Sequence, residues 1–185
     1  VEMLLTADAN RAREIAQELF RLNAERQTEE RSMVKQIFDQ CVEQPVTDAD
    51  RALVFWGEGW HRGVCGIVAS RVVDRFQRPA IVLGVEEGMA GGSGRSIEAF
   101  HLLNALESMR ELFTTFGGHA HAAGLSLPAD SLPELKARLN AYAHARLTPE
   151  DFRRVVEVDA VVEGPEVDDQ LWAALCRIGP FGEGN

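Results

Sequence analysis

Three groups of side chains in this 185-residue sequence have the types and spacing to act on an anion. The first is Ala90-Gly91-Gly92-Ser93-Gly94-Arg95-Ser96, where a permanently charged planar guanidinium stands among hydroxyls. Its glycines permit a ligand to approach the backbone closely. The second is Gly117-Gly118-His119-Ala120-His121-Ala122-Ala123-Gly124, again glycine-rich and carrying imidazoles. The third is His61, in the loop Gly57-Glu58-Gly59-Trp60-His61-Arg62-Gly63. Together they suggest a cleft that recognises phosphate.

Several other chemistries are excluded. The run 90–96 lacks the Gly-Lys-Ser/Thr ending of a nucleotide-binding P-loop, and it lacks the third glycine of a dinucleotide fingerprint. Gly-x-Ser-x-Gly is absent, so no nucleophile elbow forms around Ser93. His119 and His121, two apart, would face one side of a strand, but no carboxylate or third histidine completes a metal set. No dense cluster of carboxylates and histidines suggests a two-metal site. Plainer readings stand beside the functional ones. The run 90–96 also reads as a Gly-rich strand-to-loop transition, and His121 as a polar loop residue. His101 and His144 read as surface residues. Trp60 either stacks on a base or covers the core.

The elements that position these groups follow from hydrophobic periodicity. Glu2–Thr6 reads as the end of a short strand, and Asp8 as the cap of a helix. Ile15, Leu19 and Leu22 form one apolar stripe, continued by Met33, Ile37 and Cys41, with a polar stretch from Asn23 to Ser32 between them. That pattern predicts a single strut from Asp8 to about Glu43, roughly 50 Å long. Two helices broken near Thr28 are the alternative. After the linker at Pro45–Asp50, Arg51–Trp56 reads as a buried strand, Val64–Phe76 as a helix and Ala80–Val85 as a second strand. This is a parallel βαβ unit. Met89–Ser96 reads as an antiparallel third strand, followed by a helix from about Glu98 to Leu106. Ala122–Leu127 reads as another strand, with a helix capped by Ser131 and running to about Leu147. Beyond Thr148-Pro149, Val155–Val161 alternates like a half-exposed strand. Val167–Cys176 reads as a short helix, and Gly179–Asn185 as a loop. The fold class is therefore α/β: a mixed sheet of about five strands with flanking helices, preceded by a long connecting helix.

The net charge of −10 argues against a nonspecific nucleic-acid binder. Its distribution permits an anion site, however. Residues 60–121 hold equal numbers of acids and bases and four of the five histidines, so the acid excess lies outside that segment. No run of about 18 apolar residues spans a membrane. Cys41, Cys65 and Cys176 are scattered, which suggests buried thiols in a reducing compartment. The first residue is Val1, which suggests an excised fragment.

Several segments together resemble the DHH-associated domain of the RecJ family, within the DHH phosphoesterase superfamily. They are Trp60-His61-Arg62-Gly63-Val64-Cys65-Gly66-Ile67-Val68-Ala69-Ser70-Arg71, Arg78-Pro79, Gly92-Ser93-Gly94-Arg95-Ser96, Gly117–Gly124 and Gly179-Pro180-Phe181-Gly182-Glu183-Gly184-Asn185. Cys65 departs from the aliphatic residue usual there. The resemblance implies an organisation of four parts. Residues 1–7 would end an upstream DHH catalytic domain, 8–44 would form the connecting helix, 45–150 the DHH-associated domain, and 151–185 the start of an oligonucleotide-binding β-barrel region. It implies a cytoplasmic 5′→3′ exonuclease for single-stranded DNA, serving DNA repair and recombination. Helicase and single-strand-binding protein are its implied partners. Mn²⁺ or Mg²⁺ would be held by the upstream domain and no metal by this segment, which would be inactive alone. It implies that Ser93 and Arg95 hold the substrate's 5′-phosphate, with Gly92, Gly94 and Ser96 shaping that pocket. His119 would face the metal centre as an auxiliary catalytic residue, and His61 and Gly118 would line the cleft. Related activities, on short oligonucleotides or cyclic dinucleotides, and an inactive replication scaffold are the alternatives.

Overall fold

Every strand among the described residues belongs to one five-stranded sheet, in the order β1 (Leu53–Glu58), β2 (Ala80–Glu86), β3 (Met89–Arg95), β5 (Ala122–Pro128), β4 (Thr115–Gly118). The computed structural model describes all residues except 156, 157, 159 and 180–185. The chain divides into two units, residues 1–153 and residues 154–185. In the first unit β1 (Leu53–Glu58), α3 (Arg62–Phe76) and β2 (Ala80–Glu86) form the expected βαβ unit, with β1 and β2 parallel. β3 (Met89–Arg95) returns antiparallel to β2 through a tight turn at Glu87 and Gly88, both with positive φ. β4 (Thr115–Gly118) and β5 (Ala122–Pro128) make a second hairpin, with β5 antiparallel to β3.

The two faces of the sheet are covered differently. One packs Ile81, Leu83, Ala90, Leu125 and Leu127 against α4 (Leu102–Glu107) and α5 (Leu132–His144). The other packs Leu53, Ala80 and Val82 against α3 and the second half of α2 (Ala9–Glu43). α2 is one unbroken helix of 35 residues, capped by Asp8, whose carboxylate accepts the N–H groups of Asn10 and Arg11. Thr28 does not break it; its hydroxyl donates to the Ala24 carbonyl one turn back within the continuous helix. Met33 and Ile37 are fully buried, each contributing about 1.5–3 kcal/mol. By contrast, Leu19, Phe20 and Leu22, on the first half of α2, are exposed. The polar middle is pinned to α3 through Glu30, which pairs with Arg26 at 2.9 Å and with Arg71 at 3.3 Å.

Several expectations are corrected. Glu2–Leu5 is a single helical turn (α1), not a strand. Glu, Met and Leu favour helix, and Glu2 is tied to Arg11 of α2 at 2.8 Å. β1 begins at Leu53 because the N–H groups of Arg51 and Ala52 donate instead to Asn140 Oδ1. α4 begins only at Leu102, since Ser96 Oγ donates to the Phe100 carbonyl and holds the intervening residues in a loop. Ser131 makes no side-chain cap to α5, which ends at His144. His101 caps α4 rather than lying within a helix. Trp60 is buried and donates its indole N–H to Gln36 Oε1 at 2.9 Å, so it covers the core rather than stacking on a base.

In the second unit, α6 (Asp169–Ile178) is capped by Asp168 and sits two residues later than expected. Of the predicted strand 155–161, residues 156, 157 and 159 lie outside the described set, and the described ones are not in a strand. Residues 180–185 of the terminal loop also lie outside it. All three cysteines are free. Cys65 is buried, Cys41 half-buried and Cys176 exposed, so the expectation of buried thiols fails at Cys176. Burial pushes the Cys65 thiol above its ordinary pKa, as suits an unreactive core residue.

Candidate phosphate site on the third strand

The period of two along β3 divides the Gly-rich run between two faces. Gly91, Ser93 and Arg95 lie in register with Gly84, Val82 and Ala80 of β2, on the face covered by α3. Gly92 and Gly94 point to the opposite face. A Cβ at Gly92 would stand 2.1 Å from the Val82 carbonyl oxygen, and one at Gly94 would stand 2.8 Å from Leu102 Cδ2. These two glycines therefore set how closely β3 packs into the sheet and onto α4. They bear on Ser93 and Arg95 from behind.

α3 crosses directly above the pair. A Cβ on Gly66 would lie 2.8 Å from Arg95 Nη2 and 3.5 Å from Ser93 Cβ. Glycine inside a helix costs about 1 kcal/mol relative to alanine, and here it opens the space the Arg95 side chain occupies. Arg95 donates from Nη1 to its neighbour's carbonyl, Gly94 O, at 2.8 Å. Among the described residues Arg95 has no carboxylate partner, and the Ser93 hydroxyl makes no hydrogen bond. A half-buried guanidinium with unused donors beside a free hydroxyl suits a phosphate.

Ser96 has a different task. Its hydroxyl is spent on Phe100, and its N–H donates to the His121 carbonyl at 3.0 Å. That bond, with Leu102 N–H to Ala120 O at 2.8 Å and His119 N–H to Ala122 O at 2.8 Å, clamps the β4–β5 turn against the end of β3. His119 and His121 lie in this turn rather than on a strand, and both are exposed. Ala122, to which His119 is bonded, is the register partner of Arg95. The turn thus brings His119 to the Arg95 end of β3. Gly118 enters it with φ +151°, and its Cβ would meet the Ala122 carbonyl oxygen at 2.3 Å, so glycine is required there.

His61 stands elsewhere. It caps α3, its Nδ1 accepting from Gly63 N–H at 3.1 Å, beside the Gly84 and Gly91 end of the hairpin. Four residues of β3, or about 13 Å, separate that level from Arg95. Ser93, Arg95 and His119 therefore group at one end and His61 at the other. Among the described residues no three His, Cys, Asp or Glu stand together in a metal-holding group. Sequence reading missed Gly66 as a positioning residue, although a glycine in the middle of an aliphatic helix is the signal that could have marked it.

Residues 49–145 match the DHHA1 domain family. The chain is 44% identical over 186 residues to the single-stranded-DNA-specific exonuclease RecJ of Bacillus subtilis, covering 98% of this chain and 23% of that protein. It is 36% identical over 185 residues to the RecJ of Thermus thermophilus, covering 100% of this chain and 26% of that protein. The crystal structure of Thermus thermophilus RecJ in complex with Mg²⁺ superposes with a TM-score of 0.84 at 35% identity, over 100% of this chain and 28% of that one. A crystal structure of exonuclease RecJ bound to manganese gives 0.68 at 38% identity, over 83% of this chain and 37% of that one. The chain spans about a quarter to a third of the length of the curated relatives it matches. The chain belongs to the DHHA1 domain family, and along its whole length it is similar to RecJ exonucleases.

Proposed function

We propose that this chain is the substrate-binding part of a single-strand-specific DNA exonuclease working 5′→3′. Ser93 and Arg95 hold the 5′-phosphate of the strand end. The arrangement of those two side chains carries the reading: a hydroxyl without a hydrogen bond and a guanidinium without a carboxylate partner, among the described residues, share one face of β3 under a helix glycine that leaves room for both. A terminal phosphate carries close to two negative charges at neutral pH, and a guanidinium fork meets it with paired donors. Ser93 adds a hydroxyl donor, and the Gly94 carbonyl fixes one edge of the guanidinium. Fixing the end in this way sets which phosphodiester lies one nucleotide further in, which is what an end-dependent nuclease requires.

His119 sits beside that pocket and faces the reacting bond, while Gly118 lets the chain turn to place it. His61 lines the far end of the same face. A divalent ion, of the kind named in the RecJ structures with Mg²⁺ or manganese, would supply electrostatic stabilisation and an activated water. On this reading the ion is bound by an upstream catalytic domain that ends at residues 1–7, and the long helix of residues 8–44 connects that domain to this one. The second unit begins an oligonucleotide-binding region. DNA repair and recombination are the setting, with helicase and single-strand-binding protein as partners. The testing experiment compares Arg95→Ala with the parent full-length protein on 5′-phosphorylated and 5′-hydroxyl single strands. Loss confined to phosphorylated ends supports the reading.

A further inference from the structure

Two hydroxyls flank Arg95 and are used in opposite ways. The Ser93 hydroxyl makes no hydrogen bond among the described residues, whereas Ser96 Oγ donates to the Phe100 carbonyl at 2.7 Å. The Ser96 bond joins residues four apart and closes them into a loop, with a second bond inside it from Phe100 N–H to the Ile97 carbonyl at 3.1 Å. Burial fixes the far end of that loop. Phe100 is only 1% exposed, and its ring meets Tyr142 of α5 edge-on, with 5.9 Å between centroids.

The segment 96–102 presents two backbone donors to the β4–β5 turn, one from each end. Ser96 N–H donates to the His121 carbonyl, and Leu102 N–H to the Ala120 carbonyl. Leu102 opens α4, so its N–H has no acceptor within that helix and is available to the turn. His119 and His121 are exposed, so burial of the imidazoles does not hold the turn. Three backbone bonds hold it, and the two that come from outside depend on the loop that the Ser96 hydroxyl closes.

We propose that Ser96 is a positioning residue for His119 rather than a wall of the phosphate pocket. Its hydroxyl keeps 96–102 in the shape that aims both donors at the turn, and the turn holds His119 at the Arg95 end of β3. Ser93 and Arg95 bind the strand end, while Ser96 acts through His119 on the step at the reacting bond. This rests on the reading of His119 above and names the residue through which the fold fixes it.

The test is a double-mutant cycle of Ser96→Ala and His119→Ala in the full-length protein, measuring kcat and KM on 5′-phosphorylated single strands. Ser96→Ala is expected to lower kcat about tenfold, as a small misplacement of a reacting group does, with KM within about twofold of the parent. Ser96→Thr keeps a hydroxyl and should restore most of kcat. In a His119→Ala background Ser96→Ala should cost nothing further, whereas in an Arg95→Ala background it should still cost about tenfold. Ser108→Ala is the control. Its hydroxyl makes the same kind of bond at the other end of α4, to the Ala105 carbonyl at 2.7 Å, so its loss should leave kcat unchanged. The proposal is overturned if Ser96→Ala matches Ser108→Ala, if its loss multiplies with that of His119→Ala, or if its loss vanishes in the Arg95→Ala background. An unchanged His119→Ala enzyme defeats the reading of His119 and this proposal with it. A defective His119→Ala enzyme whose loss multiplies with that of Ser96→Ala defeats only the proposal.

Discussion

Gly92 and Gly117 lie two strands apart in one sheet, each within a glycine-rich run, but only Gly92 is demanded by its own fold. A Cβ at Gly92 would overlap the backbone of β2, whereas one at Gly117 would meet nothing within 4 Å, and Gly117 has no positive φ. The first run is thus set by packing on the central strand of the sheet, with α4 beneath it. The second runs along an edge strand with its surface open. The contrast teaches that glycine content does not by itself mark a ligand cradle. What marks β3 is the alternation, which places packing glycines on one face and Ser93 and Arg95 on the other.

That contrast can be broken by substitution. The largest expected effect is Gly92→Ala. The clash is with backbone, so strands must separate, and stability should fall by about 3 kcal/mol, or roughly 6–12 °C in Tm. Urea or thermal unfolding of the chain checks this. Gly66→Ala should separate stability from function. It gains about 0.8–1 kcal/mol of helix propensity, but it displaces the Arg95 guanidinium, so use of 5′-phosphorylated ends should fall several-fold while Tm holds or rises. A drop in Tm accompanying full activity would show that Gly66 serves packing alone. The smallest effect is Gly117→Ala, whose unfolding free energy should stay within about 0.5 kcal/mol of the parent or rise slightly. A loss comparable with that of Gly92→Ala would erase the distinction between the two runs.

Much of the fold could be read from the sequence where periodicity was strong. The spacing of Met33, Ile37 and Cys41, the polar stretch before them and Asp8 as cap describe α2 well, because helix geometry is local. The βαβ unit was legible for the same reason. What failed depended on distant partners. The start of β1 is set by Asn140, some 88 residues away, and the start of α4 by bonds from Ser96 and to Ala120. The same limit applies to the site. Ser93 and Arg95 could be picked by type, and the period of two already placed them on one face. That α3 covers this face, with Gly66 leaving room for the Arg95 side chain, depended on how the helix docks. His121 was legible as a loop residue, but the bonds that clamp the His119–His121 turn involve Ser96, Ala122 and Leu102 and leave no local mark.

The central claim is that Arg95 reads the strand's 5′-phosphate. The most direct measurement is kcat/KM of the full-length protein and its Arg95→Ala variant on matched single strands with a 5′-phosphate or a 5′-hydroxyl. A charge-assisted contact of about 1.5–3 kcal/mol predicts a loss of about 10- to 150-fold on the phosphorylated strand. Little change is expected on the hydroxyl strand. Equal activity of parent and variant on phosphorylated ends, or an equal loss on both, would contradict it.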